Sequence, residues 1–271
     1  MTQYDVMAAS SLHLAWLCAI VAGFSPLQAR AQVVSPEVFT RADDGDLDAQ
    51  ITLAGCYGSG LGVPRNLALS AKWLGRAAEQ GHPESQYRFG GLHYAPANAS
   101  VGLPIDHSVA AEWFRRAAVQ GHKWAQFSLG LAYAKGLGVA KDDGQAAQWY
   151  LKAASQGVEQ AQHAVGRAFV AGCGLLRDPA QAATWYRLAA DRGHLAAQLD
   201  LIDMYQKGEG VPKDEAEACA WLSIVAADHP GFRPRFQRLY DGLPPDSRKL
   251  VQARADILRK EIEARGSSSA R

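Results

Sequence analysis

Residues Ala134 to Tyr150 read AKGLGVAKDDGQAAQWY. Gly136 and Gly138 stand one residue apart, between Lys135 and Lys141, and lead into a helix-forming run. That is the make-up of a loop that holds a phosphate, and equally of a turn between two helices. The two readings differ in how often the loop should occur. A nucleotide loop appears once per site and follows a strand. The turn of a helical repeat appears in every copy.

The loop recurs. Gly60-Leu61-Gly62, Gly172-Cys173-Gly174 and Gly208-Glu209-Gly210 repeat it after helical patterns. Trp73, Trp113, Trp149, Trp185 and Trp221 follow one another at 40, 36, 36 and 36 residues. Asn66, Asp106, Asp142, Asp178 and Asp214 precede them in step, and Gln50, Gln86, Gln126, Gln162 and Gln198 mark the same point in each copy. The phosphate reading fails.

Each copy reads as a helix hairpin. Ala125, Leu129 and Tyr133 fall on one stripe at helical spacing. Gly136 and Gly138 end that helix, because glycine accepts the left-handed conformation that closes a last turn. Asp142 is placed to cap the next helix, and Asp178-Pro179 strengthens the same assignment one copy later. The second helix carries Ala147, Trp149 and Ala153-Ala154, with the Trp149 indole expected as a central core residue. One hairpin buries too little surface to stand alone, so the copies must stack.

These residues resemble the Sel-1-like repeat family, relatives of the tetratricopeptide repeat. Ala125 to Gly157 matches almost every position of its pattern, and five copies run from Ala49 to about Ala226. The resemblance implies an all-α, right-handed superhelical solenoid whose members mostly act as adaptors for other proteins, many of them exported in bacteria. The organisation read from the chain is a leader over 1–31, a capping half-repeat over 32–48 and five repeats over 49–229. Capping helices over 230–265 and a disordered tail over 266–271 complete it.

The leader rests on Leu14 to Phe24, an apolar run too short to span a bilayer but suited to a secretory signal. Ala29-Arg30-Ala31 places cleavage before Gln32, so the mature chain is expected to be periplasmic or secreted without a membrane span. The true start is Met1 or Met7. The alternative for this segment is a buried first helix. Composition is globular, 48% hydrophobic and 20% charged, and a net charge of +1 with no basic cluster sets nucleic acid aside.

The second copy departs from the pattern. It reads HYAPANASVGLPID from His93 to Asp106, four residues longer than its neighbours, with His93 in the slot of Tyr57, Tyr133, Phe169 and Tyr205. Such an insertion either helps bind a partner or is neutral. Toward the C-terminus, Asp246 to Arg265 reads as an amphipathic capping helix with Leu250, Val251, Ile257, Leu258 and Ile262 mostly on one side.

No constellation points to catalysis, a metal or a cofactor. His82, His122 and His194 each follow a repeat-closing glycine and read as turn residues, too far apart to share a metal. Cys219 and Cys56 read as buried and Cys173 as the accessible thiol. A cysteine-rich branch of the family has been linked to β-lactam chemistry, but it carries a regular cysteine pair in every repeat, which this chain lacks. The expectation is therefore a non-enzymatic scaffold for a protein or peptide. The alternative is a binder or hydrolase of cell-wall material, a β-lactam or peptidoglycan.

A partner site is expected on the first-helix face opposite the signature residues. Trp124 stands there in a slot that holds Asp48, Glu84, Gln160 and Ala196 elsewhere. Phe127, Ser128 and Leu131 extend its stripe. Tyr87 and Arg88 in the second repeat, and His163 and Arg167 in the fourth, are expected to flank it. The resemblance puts this face on the concave side, and Trp, Tyr and Arg are types enriched at binding hot spots. Phe127 and Tyr87 have a second reading, as packing between neighbouring first helices.

Overall fold

The computed structural model describes residues 34–94 and 103–268, with side chains as far as residue 264. The leader and its cleavage site lie outside the described residues, as do 95–102 of the insertion and the last three residues. Among the described residues the regular structure is helical, with thirteen α-helices and no strand. The chain forms two compact units, Met1–Lys141 and Asp142–Arg271.

The first unit contains α1 (Pro36–Asp43), α2 (Leu47–Ser59), α3 (Leu67–Glu79), α4 (Pro83–Tyr94), α5 (His107–Val119) and α6 (Lys123–Lys135). The second contains α7 (Asp143–Ser155), α8 (Glu159–Ala171), α9 (Pro179–Ala190), α10 (Leu195–Lys207) and α11 (Glu215–Asp228). It ends with a 3₁₀ turn at Pro230–Phe232, α12 (Arg233–Gly242) and α13 (Pro245–Ser268). Within each unit consecutive helices pack on one another, and α11 also receives α13.

The helix ends follow from the sequence. Asn66, Asp106, Asp142, Asp178 and Asp214 accept hydrogen bonds from free amides of the first turn of the second helices, each worth about 1 kcal/mol. Among first helices, Asp46 caps α2 in the same way, but three others use histidine. Nδ1 of His122 accepts from Ala125 N at 3.1 Å, and that of His194 from Ala197 N at 3.2 Å. His82 does the same for Ser85. An Nδ1 that accepts carries no proton, so the cap fixes the Nε2–H tautomer.

The glycine loops have a packing role. Gly136 and Gly172 close their helices at φ +68° and +70°. The second glycine of three of the loops lies against the start of the second helix of the preceding repeat. A methyl group on Gly138 would stand 1.9 Å from His107 O, one on Gly174 2.0 Å from Asp143 O, and one on Gly210 2.2 Å from Pro179 O. All three have φ of +72° or +73°. Only a residue without Cβ allows that approach.

The second repeat seats its longer loop differently. His93 is buried and its Nδ1 lies 3.1 Å from Pro104 O, while the bond from Asp106 N to its carbonyl is the one that Asn66, Asp178 and Asp214 make in their own repeats. The histidine in the aromatic slot thereby ties the far end of the insertion back to α4.

Four expectations are corrected. Trp149 is only half-buried, with Lys152 Nζ 4.0 Å above its ring. The core position of the middle repeats is the next residue, occupied by Phe114, Tyr150 and Tyr186. The indole is fully enclosed at Trp221, where the C-terminal cap covers the repeat. On α13 the apolar residues divide between two faces. Val251 and Leu258 are buried, whereas Leu250 is 65% and Ile257 49% exposed. Cys56 is half-buried. The helix also continues to Ser268, into the stretch read as tail.

A charge network fixes α13. Arg187 bonds Asp191 at 2.8 Å and Glu261 at 2.7 Å, and Arg254 meets Glu217 through both Nε and Nη2. Arg187 also lies 4.9 Å over the Trp221 ring. These contacts surround a nearly buried Asp191, which makes their geometry matter more than that of an exposed pair.

Candidate functional site

In the first unit, side chains of α4 meet those of α6 and of its cap, His122. Tyr87 is 6% and Phe127 7% exposed, so both rings serve chiefly to pack one first helix on the next. The Tyr87 ring stands 4.8 Å from His122 and 5.8 Å from Phe114, and its hydroxyl bonds Ser128. Burial pushes that hydroxyl up to about 12. Around this floor Trp124, Ser128, Leu131 and Arg88 are half-buried and reach the surface.

The floor is tied by a histidine bridge. His122 Nε2 donates to Glu84 at 2.8 Å while its Nδ1 caps α6. The hydrogen bond from His122, with Arg88 beside it, holds the Glu84 carboxyl down to about 2. Arg88 pairs with the other Glu84 oxygen. Arg88 and Glu84 thus form a fixed pair tied to α6 through His122, two residues before Trp124.

In the second unit, His163 on α8 and Asp200 on α10 are bonded at 2.8 Å. His163 also stacks 4.8 Å from His194 and 5.4 Å from Tyr186. Burial, and then the neighbouring His163, lower His194 to about 4. Arg167 is exposed on the same helix as His163. The predicted residues therefore fall into two groups, Tyr87, Arg88, Trp124, Phe127 and Leu131 in one unit and His163 and Arg167 in the other.

Sequence reasoning missed Glu84, His122, Asp200 and His194 as members of these groups. The available signal was a histidine three residues before the residue that precedes Gln86, Gln126 and Gln198, which is cap spacing.

Chemical groups for catalysis are sparse. Cys219 is buried, its thiol pushed up to about 11 by burial, and Cys56 is raised by the same cause. Cys173 is the exposed thiol, as expected, and the described cysteines are unpaired. Among the described residues no cluster of three or more His, Cys, Asp or Glu side chains could hold a metal, and no helix is long and apolar enough to cross a membrane.

Hairpins at a 36-residue step, closed by paired glycines and stacked helix on helix, define an α-helical repeat protein. A profile of the Sel1 repeat matches residues 47–82, 83–122, 125–158, 159–194 and 195–227, and the chain belongs to that family. Sel1 repeats are generally protein-interaction scaffolds without catalysis. Among solved structures, a protective antigen of uropathogenic Escherichia coli with an SLR fold is 28% identical at a TM-score of 0.71. The match covers 83% of this chain and 49% of that one, so the chain spans about half of that antigen's length. A Sel1 repeat protein from Oxalobacter formigenes is also 28% identical, at a TM-score of 0.65, covering 82% of this chain and 88% of that one. A search of curated proteins gave no match.

Proposed function

We propose that this protein is a non-enzymatic, exported scaffold that binds a protein or peptide on the inner face of its first helices. The carrying observation is the half-buried Trp124 indole, on the helix stripe that holds Leu131, two residues from the His122 that bonds the Arg88–Glu84 pair, and in a slot that holds small or polar residues in the other repeats. An aromatic anchor with an apolar neighbour and an oriented charge pair is the composition of an interface hot spot. Tyr87 and Phe127 form the packed floor beneath it. In the second unit Arg167, with the His163–Asp200 pair nearby, offers a further polar contact. Export rests on the Leu14 to Phe24 leader and the Ala29-Arg30-Ala31 site, and the mature chain would begin near Gln32.

Capture of the partner from the native envelope by the wild-type protein and by Trp124→Ala tests the binding reading. The variant should fold and melt as the parent does while losing about 2 kcal/mol of affinity or more. Unaltered capture, or a large fall in melting temperature, refutes it.

A further inference from the structure

The glutamines near the start of the first helices form a regular series of hydrogen bonds. Gln50 Nε2 donates to Ala42 O at 3.0 Å, and its Oε1 accepts from Gln80 Nε2 at 2.8 Å. Gln80 Nε2 also donates to Gly45 O at 2.9 Å. The next repeat reproduces this with Gln86, Gln120 and the carbonyls of Ala78 and Gly81. In both, the second glutamine satisfies the first and ties it to the preceding turn.

The fourth repeat breaks the series. Gln162 Nε2 still donates to Ala154 O at 3.2 Å, but the place of Gln80 and Gln120 is taken by Arg192. Gln162 Oε1 is left without a partner, although the residue is only 3% exposed. A buried acceptor without a donor costs about 1–3 kcal/mol. The Arg192 guanidinium reaches over the preceding turn, where a methyl group on Gly157 would lie 3.2 Å from its Nη2.

A second feature departs in the same place. Trp73, Trp113 and Trp149 each carry a cation three residues on, with Arg76, Arg116 and Lys152 at 4.7, 4.5 and 4.0 Å from the ring centre. After Trp185 that position is Leu188, and among the described residues no cation covers the indole. Gln162, Trp185, Leu188 and Arg192 line one open groove of about 440 Å³ against the turn at Gly157.

We propose that this groove binds the free C-terminus of a peptide chain. The groove presents a guanidinium that suits a carboxylate and an uncovered apolar wall, and Gln162 Oε1, an acceptor that needs an N–H, is buried at its edge. A peptide terminus carries the complementary groups within one residue. Its carboxylate pairs with Arg192, its final apolar side chain lies on Trp185 and Leu188, and its last amide N–H meets Gln162 Oε1 once that side chain turns toward the groove. None of these residues belongs to the Trp124 surface, so the two sites can be tested separately.

The probe is acetylated alanyl-leucine with a free carboxylate, titrated into the isotope-labelled full chain and followed by NMR. The Gln162 side-chain amide and the Trp185 indole N–H should shift. The C-terminal amide of the same probe, and its analogue methylated on the last peptide nitrogen, should each bind at least about tenfold more weakly. Arg192→Gln should restore the donor seen in the earlier repeats, raise the melting temperature and weaken the free acid by a similar factor. Equal binding of acid and amide, retention of binding by the folded Arg192→Gln protein, or no shift at either group would overturn the proposal.

Discussion

Alanine at Gly174 and alanine at Gly172 are two substitutions of the same kind with different physical consequences. Both glycines have left-handed backbone, at φ +73° and +70°, so either alanine incurs about 1–2 kcal/mol of backbone strain. Their surroundings differ. A methyl group on Gly172 would meet its nearest neighbour, Arg177 Cβ, at 3.6 Å, an ordinary contact. On Gly174 it would stand 2.0 Å from Asp143 O and 2.5 Å from Asp143 C. Those are backbone atoms at the start of α7, which no rotamer change can move aside. The loop must lift from the helix, adding the 1–3 kcal/mol typical of overpacking. Gly174→Ala should therefore lose about 2–5 kcal/mol and Gly172→Ala about 1–2 kcal/mol. Urea denaturation followed by circular dichroism gives both values under identical conditions. Equal losses would show that conformation alone requires glycine, and that the loop does not seat on the preceding repeat.

Two further outcomes follow from burial and from titration. Trp221→Ala empties a fully enclosed site and should cost about 3–5 kcal/mol, whereas Trp149→Ala, half-exposed under Lys152, should cost less than half as much in the same denaturation assay. His194 is lowered to about 4 from an ordinary value of 6.5, so between those limits the unfolded chain binds the extra proton. The contribution is complete above pH 6.5 and is lost as pH falls toward 4. It amounts to at most about 3 kcal/mol. His194→Asn keeps a cap acceptor without that titration, and its melting temperature should fall less steeply over this interval than the parent's.

The repeat, its caps and its turns were legible in the sequence because each is local. An aspartate two or three residues from the amide it caps, or a glycine at a helix end, announces its role through spacing. The face of the second helix was harder to read. With alanines at Ala146, Ala147, Ala153 and Ala154, either Trp149 or Tyr150 satisfies a helical period, and the larger residue drew the assignment. The structure encloses Tyr150 because an indole on the outer side can be shielded by Lys152 one turn on. On α13, Leu250 and Val251 are adjacent in sequence, so one had to face away from the core that buries the other. The Glu84–His122 and His163–Asp200 bridges join residues 38 and 37 positions apart. They depend on how first helices of neighbouring repeats stack, which the pattern of a single repeat does not contain. The unpartnered Gln162 oxygen became visible only when each repeat's hydrogen bonds were compared.

The most direct test of the binding role is the dissociation constant of the native partner for the wild-type protein and for Trp124→Ala, with melting temperatures measured on the same samples. The account predicts affinity weakened by about 2 kcal/mol or more and a melting temperature within a degree or so of the parent. Unchanged affinity, or weaker binding that accompanies a large loss of stability, would contradict it.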